Sequence, residues 1–160
     1  GPGTGVFTRA LIRRGIPEEQ LILVEAGESF ATLLKQRYPK ATVLQQDAAS
    51  FWKYHRRENQ KIGAIISGLP LLSMTTRKVA GVLKNITSNM VPGGAFYQFT
   101  YGLKVPVSKR VLQKMGLAYS RLGGTLGNFP PASVYRIYNE KYHVSESINY
   151  RNNGLITVTV

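Results

Sequence analysis

Gly1-Pro2-Gly3-Thr4-Gly5 puts glycines at alternate positions directly ahead of a helix-compatible run. Glycine takes positive φ at no steric cost and leaves no Cβ between backbone and ligand, so this spacing suits a tight turn against a bound molecule. The apolar run Leu21-Ile22-Leu23-Val24 ends in Glu25, twenty positions beyond Gly5. That is about the interval at which nucleotide-binding α/β folds place a carboxylate for the ribose hydroxyls. A second acid, Asp47, closes the next apolar run. Alone, the glycines could be a structural turn; joined to two strand-end carboxylates they read as a nucleoside-cofactor site.

Other chemistries find no support. The chain has no cysteine, which removes disulfides, thiolate metal sites and cysteine nucleophiles. His55 and His143 have no partner at metal or triad spacing, so both are surface residues and no metal is expected. No apolar run approaches the ~20 residues of a spanning helix. Lys and Arg number 21 against 8 Asp and Glu, a net charge of +13. Such a chain should be drawn to a polyanion, either nucleic acid or an anionic lipid surface. The cations are scattered, with small clusters at 13–14, 53–61, 77–78 and 104–114.

Alternating helical and extended patterns must position the site. Val6, Phe7, Ala10 and Leu11 share one helical face, with Thr4 as cap and Gly15 and Pro17 as the stop. Leu21 to Val24 is wholly apolar, as for a strand covered on both faces. Phe30, Leu33, Leu34 and Tyr38 form the next helix, and Ala41 to Gln45 the next strand. Residues 48–60 read as a basic, aromatic helix containing Trp52 and Tyr54, which could pack in the core or anchor a membrane. Ile62 to Ser67 is a buried strand, Val79 to Met90 a helix, Pro92-Gly93-Gly94 a turn and Ala95 to Tyr101 a strand. A last helix ends at Gly116. Ala118 to Leu122 and Ser133 to Tyr138, with no helix between them, should pair antiparallel. Residues 155–160 read as an edge strand or a poorly ordered end. One domain, 1–142, with a tail, 143–160, is the expected organisation. A buried strand ordinarily feeds such a glycine loop, so the first strand reads as missing through N-terminal truncation.

This order resembles the class I S-adenosylmethionine-dependent methyltransferases, and implies an α/β Rossmann-like sheet, mostly parallel with an antiparallel terminal hairpin. Gly1, Gly3 and Gly5 match their first motif. The resemblance makes Glu25, with Ala26 beside it, the ribose site and Asp47-Ala48 the adenine site. Ser67-Gly68-Leu69-Pro70 falls at their fourth motif, Ser67 toward the cofactor and Gly68, Leu69 and Pro70 toward the substrate. Pro92-Gly93-Gly94 matches the turn before the fifth strand. Within the class, residues 1–8, 67–72, 98–102 and 128–132 are similar to bacterial phospholipid N-methyltransferases, relatives of the ribosomal RNA adenine dimethyltransferases. The implied cofactor is S-adenosylmethionine, and the implied substrate phosphatidylethanolamine at the cytoplasmic membrane face. Tyr101 is the candidate catalytic residue, its ring meeting a methylated ammonium through cation–π attraction.

Adenine N6 methyltransferases place an aromatic ring after the motif proline to stack the extruded base. Here Leu71 and Leu72 follow Pro70, which suits a lipid better. Asn128-Phe129-Pro130-Pro131 could be mistaken for a displaced base-stacking box, but Ala132 follows the prolines. Two readings stay open beside the lipid enzyme: an RNA adenine methyltransferase relative and a truncated, non-catalytic cofactor-binding domain. Glu25→Ala and Asp47→Ala are expected to weaken cofactor affinity with the fold intact.

Overall fold

The apolar runs of the sequence become the interior of one seven-stranded sheet. A computed structural model describes residues 2–48, 62–127, 130–142 and 156–159. Its strands are β1 (Leu21–Glu25), β2 (Thr42–Gln45), β3 (Ile62–Ser67), β4 (Met90–Tyr101), β5 (Leu117–Thr125), β6 (Ala132–Asn139) and β7 (Ile156–Thr159). They lie in the order β2-β1-β7-β3-β4-β6-β5. β2, β1, β7, β3 and β4 run parallel, and β6 is antiparallel to both β4 and β5. The expected antiparallel terminal pair is present.

Alternation along β1 sends successive side chains to opposite faces and builds two cores. Ile22 and Val24 join Ile62, Ile65 and Phe96 under α3 (Thr76–Asn89) and α4 (Lys109–Lys114), which contribute Val79, Leu83, Ile86 and Leu112. Leu21 and Leu23 pack on the other face against Leu34 and Tyr38 of α2 (Glu28–Arg37) and its C-cap, with Leu11 and Ile12 of α1 (Val6–Arg13) alongside. The Thr75 and Ser108 side chains accept from the Lys78 and Val111 N–H groups and cap α3 and α4.

Three expectations change. Residues 156–159 are neither an edge strand nor an unpaired end: β7 lies inside the sheet, pairing with β1 through Leu21↔Thr157 and with β3 through Ile65↔Val158. In a Rossmann-like sheet that slot belongs to the strand that feeds the glycine loop, so the place of the strand read as missing is occupied. The 143–160 tail therefore contributes a central strand to the domain. Second, Pro92-Gly93-Gly94 is not a turn ahead of a strand but a bulge within β4. Ile62 pairs with Met90 and Ala64 with Ala95, so two steps along β3 match five along β4. A Cβ on Gly94 would lie 2.9 Å from the Gly63 carbonyl oxygen, which is why glycine stands there. Third, Thr4 does not cap α1; Gly5 holds the N-cap position with no side-chain cap. The apolar face of α1 is partly open. Phe7, Ala10 and Leu11 line an open trough of about 800 Å³ facing Ala64, Tyr97 and Val134.

The helix expected over 48–60, with Trp52, Tyr54 and His55, lies outside the described residues apart from Ala48. So do Gly1, Asn128, Phe129 and His143.

Candidate cofactor and substrate site

The Gly5 N–H donates to the Pro2 carbonyl at 2.8 Å and closes the opening turn. Gly3 and Gly5 take φ of 52° and 81°. They are needed for different reasons. A Cβ on Gly5 would stand 2.7 Å from Tyr38 Cε2, and the Tyr38 hydroxyl donates to the Gly5 carbonyl at 3.0 Å. A Cβ on Gly3 would meet nothing within 4 Å. Gly5 thus serves packing against the end of α2, while Gly3 leaves backbone uncovered.

Glu25 ends β1 directly beside this turn. Its side chain is buried, Oε2 accepting from the Gly3 N–H and Oε1 from the Gly27 N–H, both at 3.0 Å. The carboxylate fastens the glycine turn to the entry of α2, a structural task the sequence did not reveal. Removing Glu25 should therefore lower stability as well as cofactor affinity. A carboxylate oxygen holds two acceptor sites, so each can still receive a ligand hydroxyl. Gln46 N–H donates to the Glu25 carbonyl at 3.0 Å, which brings the exposed Asp47 to the same edge of the sheet. Ala26 is exposed there, and Ala48 rests half-buried against the core.

Ser67 ends β3 fully buried, its Oγ accepting from the Leu69 N–H at 3.2 Å. Gln98 Nε2 donates to the Leu69 carbonyl at 2.9 Å. Gln98 is itself buried, and its Oε1 has no partner among the described residues. This residue escaped the sequence reading as a site element. The signal was there, a long amide inside an otherwise apolar strand, but which loop it holds is a tertiary fact. Gln98 fixes the path of residues 67–70 from behind.

Between the glycine turn, that loop and the end of β4 lies a cavity of about 560 Å³, lined by Pro2, Phe7, Leu69, Leu72, Phe99 and Tyr101 among others. Gly68 and Pro70 also line it, so the structure gathers all the proposed substrate residues at one opening. Three rings run along its wall. Phe7 and Phe99 lie 5.7 Å apart between centroids, and Phe99 and Tyr101 meet edge to face at 5.2 Å. No charged side chain lines the cavity among the described residues. Tyr101 is 57% exposed, at the mouth. No group of His, Cys, Asp and Glu able to hold a metal occurs among the described residues.

The chain has the α/β fold of the class I S-adenosylmethionine-dependent methyltransferases. It is similar to magnesium protoporphyrin IX methyltransferase from Synechocystis PCC 6803 with bound S-adenosylmethionine, at a TM-score of 0.63 and 16% identity over 87% of this chain and 67% of that one. The N-methyltransferase from Bradyrhizobium japonicum WM9 in complex with S-adenosyl-L-homocysteine matches at 0.62 and 13% identity over 87% and 74%. An rRNA methylase from Streptococcus thermophilus matches at 0.61 and 13% over 87% and 82%. Porphyrin and RNA both stand in those names, so the fold does not choose the substrate. In sequence, the chain is 26% identical over 104 residues to the ornithine lipid N-methyltransferase of Singulisphaera acidiphila, covering 62% of this chain and 54% of that protein. The chain thus spans about half the length of that relative. No family model matches it.

Proposed function

We propose that the chain transfers methyl groups from S-adenosylmethionine to the amine of a lipid head group. The reading rests above all on the cavity between the glycine turn and Tyr101, apolar and aromatic and without a charged side chain among the described residues. The name of the ornithine lipid relative supports a lipid amine. Phosphatidylethanolamine is the first candidate and an aminoacyl lipid the second.

The residues fit the donor. Glycine backbone left uncovered at Gly3, the Glu25 carboxylate and Asp47 share one sheet edge. Glu25 would receive the ribose hydroxyls and Asp47 the adenine edge. When bound, S-adenosylmethionine supplies an electrophilic methyl carbon on a sulfonium. The protein's own tasks are then to orient the amine, exclude water and keep the nitrogen lone pair free. Burial in an apolar pocket lowers an amine's pKa, because the charged form loses solvation. With no carboxylate beside it, nothing in the described wall restores the ammonium. Alignment alone can contribute up to ~7–11 kcal/mol, so no strong general base is required.

Each methyl added makes the product a bulkier cation, which the rings of Phe99 and Tyr101 can face. Tyr101→Phe is expected to keep kcat/KM within about 2-fold, whereas Tyr101→Ala should lower it by roughly 5- to 30-fold, the worth of a ~1–2 kcal/mol cation–π contact. Equal losses in both variants would assign the hydroxyl the chemistry instead.

The same rings give a second reading some footing, since a flipped adenine could stack on Phe99 or Tyr101. Methyl-labelled donor offered with phosphatidylethanolamine liposomes and, separately, with unmethylated ribosomal RNA decides between them. Label in the lipid is the expected result. Label in RNA alone would overturn the proposal.

A further inference from the structure

From residue 61 to residue 139 the chain contains no aspartate or glutamate, yet it carries ten lysines and arginines. Five of these cations, Arg77, Lys78, Lys104, Lys109 and Arg110, are exposed around the loops beside the cavity mouth. Arg77 and Lys78 occupy the first turn of α3, and Lys109 and Arg110 the first turn of α4; neither turn holds an acid. A helix dipole disfavours cations at its N-terminus. No carboxylate of the described residues 62–127 and 130–139 can offset this, because that stretch has none. Local stability does not account for the placement.

The same edge bears apolar tips. Leu72 is 63% exposed and Leu103 55%. Leu72 links the two sides, lining both the substrate cavity and a smaller hollow shared with Val105, Pro106 and Ser108 just before α4. The backbone at Leu103 is anchored, the buried Tyr135 hydroxyl donating to its carbonyl. An apolar tip with lysine directly after it, ringed by exposed cations, has the composition of a surface that enters a charged interface.

We infer that residues 69–78 and 101–111 form a docking face for an anionic lipid bilayer. Leu72 and Leu103 enter the interface, and the five cations rest on the head groups. This extends the lipid-amine reading: the cavity opens inside the docking face, so a head group could reach it without its acyl chains leaving the bilayer. Nucleic acid would satisfy the charge but has no use for the exposed leucines.

The experiment is vesicle flotation with the whole chain. The parent should partition onto vesicles of mixed phosphatidylglycerol and phosphatidylcholine at least ~10-fold more strongly than onto phosphatidylcholine alone. Leu103→Asp and, separately, Lys104→Glu with Lys109→Glu should each reduce that partition about 10-fold or more, with S-adenosylmethionine affinity and circular dichroism unchanged. Leu103→Ser, which removes the apolar tip without adding a charge, should reduce vesicle partition and leave any single-stranded RNA binding as in the parent. Partition that survives the leucine and the lysine variants overturns the inference. So does a parent that ignores anionic vesicles while binding RNA through Lys104 and Lys109. Turnover of a water-soluble, short-chain aminophospholipid separates the two proposals. Absence of turnover in the parent would defeat the lipid-amine reading and leave the docking measurement standing on its own.

Discussion

Glu25→Ala is expected to weaken S-adenosylmethionine binding by roughly 10- to 100-fold, the loss of a charge-assisted hydrogen-bond pair worth ~1.5–3 kcal/mol. It should also lower the unfolding free energy, by about 1–3 kcal/mol, because the Gly3 and Gly27 N–H groups lose the acceptors they hold at 3.0 Å. Both effects come from one carboxylate that braces the turn and faces the ligand space. Asp47→Ala provides the contrast. Asp47 is exposed, so its removal should reduce affinity, by about 5-fold, with little change in stability. Titration calorimetry and urea unfolding on the same preparations measure both quantities. Unchanged affinity in both variants would mean that the donor binds elsewhere.

The opening turn makes the second large expectation. Gly5→Ala forces a methyl group to within 2.7 Å of Tyr38 at a φ of 81°. Left-handed backbone strain and overpacking together should destabilise the protein by about 2–5 kcal/mol. Gly3→Ala, at a φ of 52° with nothing within 4 Å, should cost only ~1–2 kcal/mol in stability. Its methyl group would instead stand where the ligand needs bare backbone, and affinity should fall at least ~10-fold while the fold remains. If Gly3→Ala binds the donor as the parent does, the turn is architecture and not a cradle.

Much of this could be read from residue order because local patterns carry it. Leu21 to Val24 and Ile62 to Ile65 are apolar at every position, and only a strand covered on both faces accommodates that. The helical spacing of Val79, Val82, Leu83 and Ile86 specified the buried face of α3. The β5–β6 pairing followed from two extended runs joined without a helix. What escaped is what only the tertiary arrangement decides. Ile156–Thr159 looks like any short terminal strand, and nothing in four residues says that it inserts between β1 and β3. Pro92-Gly93-Gly94 carries turn chemistry, but a bulge uses the same residues, and the close approach of Gly63 makes the difference.

The candidate site divides the same way. Glycines and strand-end acids announced the donor side, since backbone approach and a ribose partner demand those residue types. The substrate side announced itself in part, through residues 68–70 and Tyr101. Phe7 and Phe99 did not stand out beside Tyr101, and only the fold lines the three rings up along one wall. Gln98 looked like one polar residue in a strand until Leu69 was found on its amide. Tyr38 read as a helix-face residue, and its hydroxyl proved to hold the Gly5 carbonyl.

A crystal structure of the chain with S-adenosyl-L-homocysteine tests the central assignment most directly. The ribose hydroxyls are expected within hydrogen-bond distance of the Glu25 carboxylate, with the adenine beside Asp47 and the sulfur turned toward the cavity of Phe7, Phe99 and Tyr101. A ligand bound away from the glycine turn, with Glu25 still engaged only by Gly3 and Gly27, would contradict it.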